Sequence, residues 1–248
     1  MMEKGSIVIK DLTIDFYING ELKNIIKQGN CVFPTGRITA VVGESGSGKS
    51  VLGQAILGDL PANATVSGEV LYECRNMLTL PPKDFKYLYG KKLAVVPQLP
   101  QEAFSPMKSI YAHIRDALEC AGIIQMSFLH HLFTDKTTYL LAKHTLEGFG
   151  FTDIDKILSS YPHELSGGML QRILCAIVTY IRPQWIIADE PTKGLDEANR
   201  DLVVKNLKKM YEKAGSSVII ITHDMELAQK MCHGIIRLKE GKLYAEGR

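Results

Sequence analysis

Gly43-Glu44-Ser45-Gly46-Ser47-Gly48-Lys49-Ser50 is the stretch on which the rest of the reading turns. It fits the pattern Gly-x-x-x-x-Gly-Lys-Ser, with an apolar strand-like run at residues 37–42 before it and a helical pattern at 50–57 after it. Glycines at these places let the backbone turn its N–H groups inward around phosphate oxygens, and the helix that follows adds its positive dipole end. Lys49 is placed to reach the β- and γ-phosphates of a nucleotide, and the Ser50 hydroxyl to meet Mg2+. A plain Gly-rich hairpin is the competing reading, and it requires neither the strand nor the helix.

Outward from this loop, strands and helices alternate. Residues 7–14 read as a strand, and 92–96 as a shorter one stopped by Pro97. From 110 to about 158 the pattern is helical. Residues 169–181 form a helix closed by Arg182-Pro183, because the residue before proline disfavours the helical region. Residues 185–188 and 218–222 are continuous apolar runs, the mark of strands buried on both faces. A helix spans 199–213, and Pro81-Pro82 reads as a turn. The alternation argues for an α/β core. Residues 98–164 break it and read as an inserted helical subdomain, so that 1–97 and 165–248 make the core of one domain spanning 1–248.

Composition removes several classes. With 46% hydrophobic residues and a net charge of +2, the chain is globular rather than disordered. That charge balance also argues against a nucleic-acid partner. The longest uncharged apolar run, 173–181, is about half of what a spanning helix needs, and no apolar segment of signal-peptide type follows the first residues. Five widely spaced cysteines without a Cys-x-x-Cys pair point to reduced thiols rather than a disulfide framework or a zinc site. The pair His130-His131 has no third ligand at suitable spacing and reads as a solvated helix surface.

Two further motifs carry chemistry. Trp185-Ile186-Ile187-Ala188-Asp189-Glu190 is an apolar strand ending in two acids, which places both carboxylates at a sheet edge beside the phosphate loop. There Asp189 would hold Mg2+ through water and Glu190 would polarise an attacking water; taken alone, a solvated acidic turn explains the pair as well. In Leu165-Ser166-Gly167-Gly168-Met169-Leu170-Gln171, Ser166 stands at an N-cap and the two glycines leave the backbone N–H groups bare, a second anion site in the same chain.

These residues resemble the signature of ATP-binding cassette (ABC) ATPases, with Met169 in place of the usual Gln. The other family motifs follow in order over nearly the whole chain. Gln98 resembles the Q-loop glutamine, His223 the switch histidine, Gly194-Leu195-Asp196 the D-loop, and Phe16 (or Tyr17) the aromatic that stacks on adenine. Gln98-Leu99-Pro100, Ala103-Phe104-Ser105-Pro106, Tyr161-Pro162-His163-Glu164-Leu165 and the runs 166–172 and 186–191 are most similar to the ATPases of peptide and nickel importers, nickel-type members above all. Lys193-Gly194 departs from the usual Ser-Ala before the D-loop Leu-Asp, and Leu99 from a common Asp.

The resemblance implies a P-loop NTPase core with a mostly parallel sheet, an N-terminal antiparallel β part and the helical insertion. It implies ATP held by Phe16 and by Gly43, Glu44, Ser45, Gly46, Ser47, Gly48, Lys49 and Ser50. Ser166, Gly167 and Gly168 would cover the nucleotide of a second ATPase subunit, a copy or a paralogue. It implies Mg2+ at Ser50, Gln98 and Asp189, and catalytic roles for Glu190, His223 and Gln98. Two transmembrane permeases and an extracytoplasmic solute-binding protein would be the other partners, with the chain peripheral on the cytoplasmic face of the membrane. The implied cargo is nickel, a metal chelate or a di- or oligopeptide. A soluble translation or repair ATPase and an exporter subunit are the alternatives.

Overall fold

The computed structural model describes residues 5–18, 20–124, 134–194 and 197–246. His130-His131 and the D-loop Leu195 and Asp196 lie outside the described residues. In chain order the elements are β1 (Ile7–Ile18), β2 (Glu21–Phe33), β3 (Ile38–Val42), α1 (Lys49–Leu57), β4 (Ala64–Tyr72), β5 (Arg75–Asn76), α2 (Pro82–Leu88), β6 (Leu93–Val96), α3 (Ile110–Cys120) and α4 (Thr134–Leu146). There follow α5 (Ile154–Ser159), α6 (Gly167–Ile181), β7 (Trp185–Asp189), α7 (Glu197–Ala214), β8 (Ser217–Thr222), α8 (Met225–Met231), β9 (Gly234–Lys239) and β10 (Lys242–Glu246). The described residues form two compact units, one within Met1–Phe85, Trp185–Pro191 and Ser217–Arg248, the other within Lys86–Gln184 and Thr192–Ser216.

The first unit holds two sheets. In one, β2, β1, β4 and β5 lie in that order and pair antiparallel. In the other, β10-β9-β3-β8-β7 are neighbours, parallel except for the β9–β10 hairpin. Every residue of β3 (ITAVV) and β8 (SVIIIT) is buried, as are the first four of β7. Strands covered on both faces show no polar alternation, which is why these runs read as largely apolar. Trp185, fully buried at the start of β7, satisfies its indole by donating to Gly5 O at 2.9 Å.

Register then aligns the strand ends. Val42 pairs with Thr222, and Asp189 with Ile221, so the chain leaves β3, β8 and β7 at one edge of the sheet within a single residue step. In open parallel sheets ligands bind at that carboxyl edge.

The second unit is largely helical, with α3, α4 and α5 packed on one another and α6 packed on α3, α4 and α7. Helix α6 ends where Arg182 adopts a left-handed conformation (φ 51°) and donates its N–H to Val178 O, ahead of Pro183. One local expectation is corrected. Pro82 does not sit in a turn but opens α2, where its fixed φ suits the helix and its missing N–H would have been an orphan anyway. Among the described residues no helix is long and apolar enough to cross a membrane.

Candidate functional site

The loop 43–48 is shaped by close approaches that only glycine allows. A Cβ on Gly43 would lie 2.4 Å from Leu238 O of β9. Gly48, at φ 100°, has Ile25 Cγ2 of β2 where a Cβ would stand, 2.6 Å away. Between them Ser47 N–H donates to Glu44 O at 3.2 Å, closing the turn. Gly48 is also the N-cap of α1 and has no side chain to offer, so the first turn of α1 keeps its backbone donors for something else. Ser47 Oγ is buried with no hydrogen-bond partner. An uncapped helix start with a buried orphan hydroxyl behind it suits an anion with several acceptor oxygens, as a nucleotide phosphate has.

Lys49 is 5% exposed, and its ammonium curls back onto the loop, donating to Gly43 O at 3.0 Å and Glu44 O at 2.8 Å. Its counter-ion is Glu190, whose Oε1 lies 3.9 Å away and whose side chain is also buried. Glu190 itself stands in the left-handed region at φ 45°, fixed there by its N–H donating to Ile221 O at 2.8 Å. A non-glycine residue held in that region stores strain, a feature that concentrates at working sites. The two carboxylate oxygens meet His223 Nδ1 at 3.0 and 2.8 Å. A carboxylate only accepts, so Nδ1 carries the proton, and Nε2 remains for another partner.

The first unit therefore brings Lys49, Glu190 and His223 into one contact chain at the carboxyl edge of the sheet. Gly43, Glu44, Ser45, His223, Met225 and Arg237 are among the residues around a cavity of about 420 Å3 beside it. Ser50, exposed at the start of α1, and Asp189, half-buried at the end of β7, supply a hydroxyl and a carboxylate. An all-oxygen donor set of this kind suits Mg2+. Phe16 and Tyr17 lie near the end of β1, opposite Lys23 and Leu22 of β2; Phe16 is half-buried and Tyr17 is 66% exposed.

Gln98, Ser166, Gly167 and Gly168 belong to the second unit. Gln98 follows β6 after Pro97 and is half-buried. Ser166 caps α6, its Oγ accepting from Met169 N–H at 3.3 Å, and is exposed. A Cβ on Gly167 would meet Gln101 Nε2 at 3.3 Å. One turn on, Arg172 donates to Gly150 O and stacks 4.8 Å over the Phe151 ring. Two residues that shape the loop, Ile25 and Leu238, were not evident from the motifs; the apolar pair Ile235-Ile236 just before it was the available signal for the second.

Comparison with known proteins follows the same lines. The family model for ABC transporter matches residues 26–193. The peptidoglycan transport ATP-binding protein YejF of Agrobacterium fabrum is 32% identical over 96% of the chain, which spans 42% of that protein's length. The nickel import ATP-binding protein NikD of Brucella abortus is 30% identical over 98% of this chain and 87% of its own. Among solved structures, the dimeric post-hydrolysis state of the ATP-binding cassette MJ0796 bound to ADP and Pi superposes with a TM-score of 0.80. It is 25% identical, and the match covers 97% of this chain and 98% of that one.

Proposed function

The chain belongs to the ABC transporter family, and on that premise we propose that it is the ATP-hydrolysing subunit of an importer that drives a small solute through separate permeases. The observation that carries this reading is the Lys49–Glu190–His223 chain of contacts at the carboxyl edge of the parallel sheet. It joins a phosphate cation, a carboxylate base and a second polar group in one place.

ATP binding replaces the two carbonyl acceptors of Lys49 with β- and γ-phosphate oxygens, and the backbone donors of Gly46 to Ser50 take the rest. Ser50, Gln98 and Asp189 are the residues that would hold Mg2+, which when bound neutralises phosphate charge. Phe16 stacks on the base. Glu190 accepts a proton from the attacking water as its oxygen bonds to the γ-phosphorus and the bridging bond to ADP breaks; His223 steadies the γ-phosphate. Ser166, Gly167 and Gly168 of one subunit close over the nucleotide held by a second ATPase subunit, so that water is positioned only in the closed dimer. Loss of the bridging phosphate opens the dimer, and the segment around Gln98 passes the motion to the permeases.

In this proposal residues 1–248 form one cassette with 98–164 as its helical subdomain, peripheral on the cytoplasmic membrane face and supplied by an extracytoplasmic solute-binding protein. The cargo is nickel, a metal chelate or a small peptide, and the likeness to NikD supports the metal. The test is purification from membranes: two permeases and a second ATPase should accompany the chain, and deleting its gene should lower cell nickel or growth on di- and tripeptides. Recovery only as a soluble protein, with neither phenotype, refutes the importer.

A further inference from the structure

Helix α3 carries a histidine that the mechanism above does not use. Nε2 of His113 accepts from the backbone N–H of Ser105 at 2.8 Å, and Nδ1 lies 2.8 Å from Ser109 O. An amide N–H only donates and a carbonyl only accepts, so both contacts form in one state alone: neutral imidazole with its proton on Nδ1. The ring also meets Phe104 edge-on, with centroids 5.1 Å apart, and Phe104 is buried.

His113 therefore ties two points of the segment between Gln98 and α3 to the first turn of that helix. Lys108 adds an exposed link, its ammonium 2.7 Å from Asp116. The held segment leads directly to the signature. Phe104 N–H donates to Gln101 O, the single turn at Pro100–Ala103 packs on α6, and Gln101 Nε2 stands 3.3 Å from where a Gly167 Cβ would be. All of these residues lie in the second unit.

We propose that His113 is a positioning residue for ATP hydrolysis: its neutral imidazole clasps Phe104–Ser109 and so sets Gln101 against Gly167 at the start of the signature helix. The proposal rests on the ATPase reading for its consequence, though not for its geometry. Protonation turns Nε2 from an acceptor into a donor facing the Ser105 N–H, which opens the clasp. The charged groups acting on the ring are Asp116, which favours the imidazolium, and Lys108, which opposes it. Burial is the largest influence and holds the group below the ordinary histidine value. The clasp is thus closed at neutral pH and lost only as pH falls through the lowered histidine value.

Two variants separate positioning from packing. His113→Gln keeps one acceptor and one donor without titrating, whereas His113→Phe keeps the ring against Phe104 and loses both hydrogen bonds. In the assembled transporter at pH 7.5, His113→Phe should lower kcat by ~10-fold and leave KM for ATP within about twofold, because nucleotide is held by the first unit. His113→Gln should restore kcat and stay flat on acidification, where wild type declines. Wild-type turnover in His113→Phe, or an acid decline in His113→Gln equal to that of wild type, overturns the proposal.

Nitrogen NMR of the wild-type chain reads the clasp without any hydrolysis. A protonated Nδ1 with bare Nε2 is expected at pH 7.5, and the opposite tautomer or an imidazolium overturns the clasp. A wild-type transporter that hydrolyses no ATP while showing the expected tautomer would instead refute the ATPase reading, and with it the catalytic consequence of the clasp.

Discussion

Replacing Glu190 by Gln should stop turnover while sparing both fold and nucleotide binding, and the structure sets the sizes. Glutamine keeps the shape and one acceptor oxygen for His223 Nδ1, and the backbone bond from residue 190 to Ile221 O does not involve the side chain. What is lost is the charge. At 3.9 Å the attraction to Lys49 is about 4 kcal/mol at an effective dielectric of 20, offset in part because the carboxylate need no longer be desolvated, while Lys49 stays charged and buried. Lys49 keeps its two carbonyl acceptors. Net stability should therefore fall by about 3 kcal/mol at most, or roughly 6–12 °C in Tm for a chain of this length. Losing a general base costs at least ~10²-fold in rate, about 2.7 kcal/mol of barrier. The assay compares ATPase turnover of the assembled transporter with ATP affinity and Tm of the isolated chain; size-exclusion with ATP should also reveal a trapped closed dimer. Turnover within threefold of wild type would refute the role given to Glu190. A Tm drop above about 12 °C would refute the reasoning that separates its charge from the fold.

Lys49→Ala acts earlier in the cycle: ATP affinity of the isolated chain should fall by more than ~10-fold, and calorimetric titration showing undiminished affinity would mean that the Gly-rich loop holds something else. Gly167→Asp should abolish hydrolysis with Tm and ATP affinity unchanged, since only the movable end of Gln101 lies within reach of a new Cβ; its carboxylate would face the phosphates of the partner's nucleotide, where like charges cost several kcal/mol. Iodoacetamide at pH 8 should label Cys74 and Cys120, both exposed, and spare Cys31 and Cys175, whose thiols burial pushes up to about 12. Peptide mapping that finds Cys175 modified in the folded chain would contradict its burial.

The core strands were legible because parallel strands covered on both faces strongly favour apolar residues, as in residues 40–42 and 218–221. The phosphate loop was legible because its backbone demands glycine where another element passes within van der Waals contact. Strands β2 and β4 were not. Both are exposed along most of one face, and residues such as Glu21-Leu22-Lys23-Asn24 carry no strand signal until β1 pairs with them. The placing of Glu190 against both Lys49 and His223 was also hidden, because it follows from the register of β7 on β8 and of β8 on β3, which no local pattern encodes. His113 gave no signal at all: a single histidine on an amphipathic helix acquires its meaning only from the turn that folds back onto it.

The position of β3 between β8 and β9 bears on how the chain is made. Strands β1, β2 and β4 find one another within residues 7–72. By contrast, Ile38 pairs with Val218 and Ala40 with Ile235, residues made much later. Until β8 and β9 are made, Ile38–Val42 is therefore a largely apolar strand with two unpaired edges, and the phosphate loop attached to it has no β9 to close upon. Long-range pairing of this kind is slow and exposes the chain to aggregation while it waits. A ribosome stalled before β9 would carry a nascent chain whose antiparallel sheet resists protease and whose phosphate loop retains no nucleotide, a protein assembled at its front long before its motor exists.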